Sequence, residues 1–203
     1  MPDSRPAFPP IVFRHFVAAT VAEFGRQSLE VVLHNAGLAG DIITPDALAR
    51  LDAESAAQAY ANLQRAIRLY YGRGARGALL RIGGETWRRL LADAPLTVKA
   101  QARFVRSLPV DMRPKPILDL LARLLSARQG DVTVHTLDLD LLLVDRISPT
   151  TLGQSDDEPI CYVTLGMARE ALVWATEHAP DIAETACRAM GAQECEFKVT
   201  RGG

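Results

Sequence analysis

The chain of 203 residues is long enough for one domain with a hydrophobic core, or for a core domain with a helical extension. Hydrophobic residues make up 48% of the chain, which excludes a disordered chain. The formal net charge of −1 does not favour a general nucleic-acid-binding protein. No apolar run is long enough to span a bilayer, and the first ten residues lack the apolar segment of a signal peptide. We therefore expect a cytoplasmic protein without a membrane span.

The first two-thirds of the chain is predicted to be helical, after an irregular, proline-rich start over residues 1–10. Apolar residues recur at helical spacing in five segments, and glycines and prolines interrupt the pattern between them. Thr44 followed by Pro45 is typical of an N-cap and a first helical position, and Gly37 is expected to end the first helix. The predicted helices cover residues 11–35, 54–71, 78–91, 98–107 and 117–127.

The periodicity changes after Gly130. Residues 131–145 alternate between apolar and polar side chains and predict one or two strands. A polar loop over 149–159, a helix over 162–178 and a hairpin between 181 and 197 complete the prediction. The order favours an α+β fold in which a helical N-terminal part packs on a small antiparallel sheet.

The three cysteines all lie in the last part of the chain together with one glutamate, in the order Cys161, Glu184, Cys187 and Cys195. Three thiols and a carboxylate are the four ligands that a closed tetrahedral zinc site requires. An odd number of cysteines in a reducing compartment does not favour disulfides. The alternative interpretation is that the cysteines are buried as small apolar residues.

The zinc prediction makes a demand on local geometry. Cys187 and Cys195 flank the predicted hairpin turn, which brings them together, but Glu184 and Cys187 are three residues apart and lie on opposite faces of a flat strand. A bulge or an irregular turn is therefore required. Three thiolates and a carboxylate around Zn²⁺ carry a formal charge of −2, and the cations nearby in the sequence are Arg188, Lys198 and Arg201.

The same C-terminal segment carries a spaced pattern of cysteines, glycines and single acidic and aromatic residues. The pattern is Cys161, Gly166, Glu184, Cys187, Gly191, Cys195 and Phe197. It resembles the signature of the 4-vinyl-reductase-type domain, also called the predicted hydrocarbon-binding domain, which includes the sensor domains of phenol- and xylene-responsive activators. The resemblance covers roughly residues 60–199, including the glycines at 72, 74 and 77, and departs at Glu170, where many relatives have a second glycine.

The resemblance has implications for fold and metal. The family is related in fold to TRAPP tethering subunits and, more distantly, to haem-NO-binding domains. The phenol sensors hold zinc with three cysteines and one glutamate in the same order and spacing. The resemblance therefore implies a structural zinc at Cys161, Glu184, Cys187 and Cys195. It also implies a ligand-binding domain over residues 41–203, preceded by a helical extension over 1–40 that serves as a dimerisation element in a homodimer.

The resemblance implies a stand-alone carrier or sensor for a hydrophobic, aromatic or tetrapyrrole ligand. The alternative is an enzyme or accessory protein in (bacterio)chlorophyll biosynthesis at the 4-vinyl (8-vinyl) reduction step. A vinyl reductase requires a hydride or electron source, and no nicotinamide, flavin or iron–sulfur motif is recognisable, so no catalytic residue is assigned. By analogy with the tethering subunits, a purely structural interaction protein is a third possibility.

Other chemically suggestive residues are expected to be structural. The four histidines are dispersed along the chain. Gly72, Gly74 and Gly77 match GxGxxG formally, but they follow a helix and are expected to form a tight turn. A basic stretch is interpreted as a solvated helix face, with binding of an anionic group on a ligand as the alternative. Its members are Arg65, Arg68, Arg73, Arg76, Arg81, Arg88 and Arg89.

Overall fold

The computed structural model describes residues 6–201, which form eight α-helices and four β-strands. Seven helices precede the first two strands, and the eighth helix lies between the second and third strands. The helices are α1 (Pro10–Phe24), α2 (Arg26–Asn35), α3 (Pro45–Arg50), α4 (Ala53–Tyr71), α5 (Ala75–Asp93), α6 (Leu96–Ser107), α7 (Pro114–Leu125) and α8 (Tyr162–Thr176). The strands are β1 (Val132–Leu137), β2 (Asp140–Asp145), β3 (Asp181–Ala186) and β4 (Cys195–Thr200). None of the described helices combines the length and the apolar character needed to cross a membrane.

The predicted helices are present with ends displaced by a few residues, and one of them is divided. Gly25 has a φ of 77°, outside the right-handed helical region, and separates α1 from α2 where one continuous helix was predicted. The predicted cap is confirmed, because Thr44 Oγ1 accepts a hydrogen bond from Ala47 N at 3.4 Å. Of the start predicted to be irregular, residues 1–5 lie outside the described part, and Phe8 is buried with its ring 4.4 Å from that of Tyr60.

The apolar face of the first two helices is buried within the chain itself. Phe13, Phe16, Leu29 and Leu33 each have 0% relative exposure, and the ring of Phe16 lies 4.8 Å from that of Tyr60 in an edge-to-face arrangement. These side chains belong to the same hydrophobic core as α4 and α5. The face that the sequence offered for dimerisation is therefore covered by the chain's own helices, because an apolar stripe has the same pattern whichever surface covers it. The division of the chain at residue 40 stays a prediction.

The four strands form one antiparallel sheet in the order β1-β2-β4-β3, as expected for a small antiparallel sheet. Leu141 pairs with Val199 and Leu143 pairs with Phe197 across β2 and β4. These four residues are buried in the common core, which also contains the apolar face of α7. The sheet therefore has one face on the helices, and the α+β prediction is confirmed.

The contact between α5 and α8 is made by backbone against backbone. A Cβ on Gly83 would lie 2.2 Å from the carbonyl oxygen of Val163, and a Cβ on Gly166 would lie 2.2 Å from that of Leu80. Only glycine permits this approach at either position. The contact fixes the position of α8, whose first residue follows Cys161 in the chain.

Glu170 is accommodated one turn further along α8, opposite another glycine. The Cβ of Glu170 lies 3.5 Å from where a Cβ on Gly84 would be, so the missing side chain of Gly84 leaves room for it. The Glu170 carboxylate accepts a hydrogen bond from Arg88 at 2.9 Å. The departure from the family pattern at position 170 is thus compatible with close packing of α5 on α8.

Candidate metal centre and the adjoining groove

The three cysteines and Glu184 converge at the junction of α8 with the terminal hairpin. Cys161 is the residue before α8, Glu184 is on β3, Cys187 follows β3, and Cys195 is the first residue of β4. One ligand atom from each of the four lies within 4.8 Å of every other. All three cysteines are buried and none forms a disulfide.

The irregularity that the zinc prediction required is present in β3. Glu184 pairs with Phe197 and Ala186 pairs with Glu196, so the register shifts between Glu184 and Ala186. The extra residue rotates the strand, and Cys187 then points to the same side as Glu184. A short 3₁₀ turn, Arg188–Met190, and Gly191 at a φ of 92° return the chain toward Cys195.

The sulfur positions suit a tetrahedral cation. The Sγ atoms of Cys161, Cys187 and Cys195 are 3.6 to 4.0 Å apart. Zinc–sulfur bonds of about 2.3 Å in a tetrahedral site place neighbouring sulfurs about 3.8 Å apart. A disulfide needs about 2.05 Å between sulfurs. The spacing therefore fits shared coordination and not a covalent bond.

Glu184 presents an oxygen without a partner to this cluster. Its Oε2 accepts a hydrogen bond from the backbone N of Cys161 at 3.0 Å. Its Oε1 is buried and has no hydrogen-bond partner in the described structure. Burial raises the pKa of Glu184 to about 8. A buried carboxylate oxygen without a donor is costly unless a cation or a proton satisfies it, and a metal ion at the cluster would do so.

Without a metal ion, the three neighbouring thiols compete for protons. Burial raises the pKa of Cys161 well above its usual value. Hydrogen bonds from Cys161 and then Cys195 lower the pKa of Cys187, since its thiolate accepts both. The three thiols therefore do not ionise together unaided, and a divalent cation would stabilise the deprotonated forms.

A polar loop supports the cluster from the other side. Ser148 Oγ lies 3.2 Å from Cys161 Sγ and 3.1 Å from Cys195 Sγ. Arg188 N donates a hydrogen bond to Cys195 Sγ at 3.2 Å. Such outer contacts orient the ligands of a metal site. Sequence reasoning did not identify Ser148, because it lies 13 and 47 residues from its two sulfur partners.

Asp145 holds Ser148 in place. Ser148 has a φ of 36°, in the left-handed region, and its N donates a hydrogen bond to Asp145 Oδ1 at 2.6 Å. Ile147 N donates to the same oxygen at 3.1 Å. Burial raises the pKa of Asp145 to about 6. An aspartate three residues before a serine is typical of a side-chain-stabilised turn, and this is the signal that would have found the loop.

Only one of the three cations near the site in sequence lies against this loop. Lys198 pairs with Asp140 at 3.0 Å, and the Arg201 guanidinium donates to the carbonyl oxygen of Asp111. Arg188 instead donates to the carbonyl oxygens of Arg146 and Ile147 beside the cluster. Lys198 and Arg201, which are near the site in the sequence, are therefore engaged by Asp140 and Asp111.

The basic stretch of α4 and α5 divides into paired and unpaired arginines. Four of the seven form ion pairs, as expected of a solvated face. The pairs are Arg68 with Asp156, Arg81 with Glu23, Arg88 with Glu85 and Glu170, and Arg89 with Glu85. Arg65, Arg73 and Arg76 have no carboxylate within ion-pair distance among the described residues. Arg73 and Arg76 line one surface groove, which lies beside the candidate metal centre.

The groove has a wide part and a narrow part. The wide part has a volume of about 510 Å³ and is lined by Arg68, Gly72, Arg73, Ala75, Arg76, Glu158 and Tyr162. The narrow part, of about 150 Å³, shares Arg76, Glu158 and Tyr162 and extends to Glu184. The guanidinium carbon of Arg76 is 5.7 Å from the centre of the Tyr162 ring. We call the two parts together the arginine groove.

The fold is similar to that of H-NOX proteins. An H-NOX protein from S. oneidensis in the Fe(II)NO ligation state matches with a TM-score of 0.57 at 14% identity, over 94% of this chain and 97% of that one. An unliganded Fe(II) H-NOX variant from K. algicida matches with a TM-score of 0.56 at 11% identity, over 96% of each chain. The expected relation of the fold to haem-NO-binding domains is confirmed, whereas that to TRAPP subunits stays a prediction.

A weaker match is to the phenol-responsive sensory domain of the transcription activator PoxR with phenol. Its TM-score is 0.45 at 15% identity, over 69% of this chain and 73% of that one, which is too low to support an argument. The sequence matches no protein-family model and no curated protein. Membership of the 4-vinyl-reductase-type family therefore stays a prediction.

The described histidines lie outside the cysteine cluster. Haem iron in proteins is held by histidine, cysteine, methionine or tyrosine. His34, His135 and His178 are exposed, and none of the described histidines lines the arginine groove. His15 is largely buried, with Nδ1 3.9 Å from Asp93 Oδ2. The similarity to H-NOX proteins is one of fold. The candidate metal ligands of this chain are the three cysteines and Glu184.

Proposed function

We propose that this chain is a stand-alone small-molecule-binding domain of the sensor or carrier type with a structural zinc. Its ligand would be hydrophobic, aromatic or tetrapyrrole in character. The H-NOX proteins with the same fold include one with NO bound at iron(II), which supports ligand binding as the role of the fold. The observation that carries the zinc is the convergence of Cys161, Glu184, Cys187 and Cys195 within 4.8 Å.

The role of the zinc follows from the number of protein ligands. A catalytic zinc keeps one coordination position for water or substrate, and here four protein ligands are available for four positions. The ion would link the start of α8 to both strands of the terminal hairpin. Its binding free energy then contributes to folding.

The proposal includes membership of the 4-vinyl-reductase-type family and assembly as a homodimer. The pairing surface would not be the apolar face of α1 and α2, since Phe13, Phe16 and Leu33 are buried in the chain's own core. The role in (bacterio)chlorophyll biosynthesis is the competing proposal. Titration with a porphyrin tests the ligand class: a shift of the Soret band indicates a tetrapyrrole ligand, which the competing proposal requires, whereas an unchanged spectrum favours a smaller, phenol-like ligand.

Native mass spectrometry of untagged protein, purified without chelator, tests the proposal. The expected result is a dimer with one zinc per chain, with added mass if a ligand copurifies. Glu184→Gln is expected to lower zinc occupancy, whereas Glu196→Gln, which alters a neighbouring carboxylate outside the cluster, should retain full occupancy. A metal-free monomer without added mass would overturn the proposal.

A further inference from the structure

We infer that the arginine groove binds an aromatic carboxylate, with the carboxylate on Arg73 and Arg76 and the ring in the narrow part of the groove. The inference rests on the proposed small-molecule function and names the class of ligand. It is carried by two adjoining cavities of different chemistry. One is rich in guanidinium groups, and the other has Pro159, Leu165 and Ile182 in its lining.

The wide part of the groove has an excess of cations. Three arginines and one carboxylate, Glu158, line it. Arg68 is engaged by Asp156 at 2.7 Å and by Gln154, yet its Nε is buried without a hydrogen-bond partner. Arg73 and Arg76 have no carboxylate partner among the described residues. The planar guanidinium group matches a carboxylate through two parallel hydrogen bonds, so an anion here would satisfy donors that the protein leaves free.

The narrow part of the groove has the size and lining for a single ring. Its volume is about 150 Å³, and Pro159, Leu165 and Ile182 contribute apolar surface. In another protein, an engineered apolar cavity of about 150 Å³ binds benzene. A fused or larger ring system exceeds this space, which distinguishes a monocyclic ligand from a tetrapyrrole.

The charges at the two ends set the orientation of the ligand. Glu184 lines only the narrow part, and Glu158 lines both parts. Arg68 and Arg73 line only the wide part, whereas Arg76 and Tyr162 line both parts. The carboxylate therefore lies toward Arg73 and the ring toward Ile182. The N-terminus of α8 opens onto the same groove at Tyr162, and its dipole adds a favourable potential for the anion.

The groove is also connected to the metal centre. Tyr162 follows Cys161 directly, and Glu184 belongs to both the cluster and the groove. An ion bound by the four ligands would connect Tyr162 and Glu184, two residues that line the groove.

Calorimetric titration of the zinc-loaded full chain with benzoate as the probe tests the inference. Benzyl alcohol presents the same ring without the charge, and inorganic phosphate presents the charge without the ring. We expect benzoate to bind at least about tenfold more tightly than either of them, and added salt to weaken it. Replacement of both groove arginines, Arg73→Gln with Arg76→Gln, should weaken benzoate binding about tenfold.

Arg103→Gln is the matched control, since Arg103 is an exposed arginine on α6, away from the groove. It should leave benzoate binding unchanged. Equal zinc content and equal thermal unfolding of all variants exclude a folding defect as the cause of weaker binding.

Three results would overturn the inference. If the double variant binds benzoate as tightly as the wild type, the ligand does not bind at Arg73 and Arg76. If phosphate binds as tightly as benzoate, the aromatic ring makes no contribution to binding. Benzyl alcohol binding as tightly as benzoate, without dependence on Arg73 or Arg76, removes the anion but leaves the proposed small-molecule function in place. The small-molecule-binding part of the proposed function fails if none of the three probes binds and no copurified ligand is found.

Discussion

The helical part of the molecule and the terminal hairpin are stabilised in different ways. Trp87, Tyr60 and Phe13 are fully buried in the helical part, where large apolar side chains fill a common core. In the hairpin, no residue of β3 is fully buried, and the buried residues of β4 are Cys195, Phe197 and Val199. The hairpin is therefore stabilised by few buried side chains. Three of its residues, Glu184, Cys187 and Cys195, are candidate metal ligands, and the fourth candidate, Cys161, precedes α8.

The helical part and the hairpin should therefore respond differently to removal of the metal. Burial of apolar area stabilises the helices whether or not a metal is present. Ligand atoms that converge on an ion stabilise the hairpin only while the ion is bound. Four changes, in decreasing order of expected effect, test how far the two regions are independent.

Trp87→Ala should cause the largest loss of stability. Trp87 has 0% relative exposure, and truncation of a buried tryptophan lowers the free energy of unfolding by about 3–5 kcal/mol. Trp174→Ala, at a partly buried position, should cost less. Urea unfolding measures both, and the zinc content of the folded variants should equal that of the wild type. Loss of zinc in parallel with stability would mean that the two regions are not independent.

Removal of zinc should affect the hairpin and spare the helices. If free zinc stands about 100-fold above its Kd, binding adds about 2.7 kcal/mol of stability, which a chelator would remove. Hydrogen exchange should accelerate in β3 and β4 and remain slow in α4 and α5. Cys187→Ser should abolish this sensitivity to chelator. Uniform acceleration over the whole chain would show that the hairpin and helices unfold as one unit.

Gly166→Ala should disturb the contact that connects the two regions. The new Cβ would lie 2.2 Å from the Leu80 carbonyl oxygen, so α8 must move away from α5. Overpacking of this kind costs about 1–3 kcal/mol. Gly40→Ala is the control, since a Cβ there meets no atom within 4 Å and its φ is not positive. Equal melting temperatures of the two variants would contradict the backbone contact.

The smallest effect is expected from the titration of His15 on α1. Burial lowers the pKa of His15 below its usual 6.5, Asp93 opposes the shift, and Arg14 and Arg89 add to it. The unfolded chain therefore takes up a proton at a higher pH than the folded one, and stability falls as the pH drops from 6.5 toward the lower pKa of the folded state. His15→Gln should flatten this part of the profile, as measured by urea unfolding at about pH 7.5 and about pH 5.5. A slope that persists in the variant would assign the titration to another group.

Local patterns predicted most of the secondary structure. Apolar spacing identified the helices from residue 54 onward and the strands between 131 and 197, because each pattern depends on residues a few positions apart. The need for an irregularity near Glu184 also followed from spacing, and β3 has a register shift there. Gly25 escaped notice because a single glycine inside a helical pattern does not reveal its φ.

The three-dimensional surroundings of each residue were harder to predict from the sequence than the secondary structure was. The stripe containing Phe13 and Phe16 has the same pattern whether another copy or the chain's own α4 covers it. Seven arginines appear equivalent in the sequence. Only their neighbours in space show that four of them form ion pairs and that Arg73 and Arg76 of the groove do not, among the described residues. Ser148 and Asp145 were not recognised because their link to Cys161 and Cys195 crosses long separations in the chain.

The sequence by itself determined the order and type of the elements and the identity of the candidate ligands Cys161, Glu184, Cys187 and Cys195. Those properties depend on side-chain chemistry and on periodicity over a few residues. The tertiary structure alone decided that the four ligands converge, that Gly83 and Gly166 bring two helices into contact, and that an arginine groove opens beside the cluster. These features are distances between residues far apart in the chain, and the packing of the whole core sets such distances.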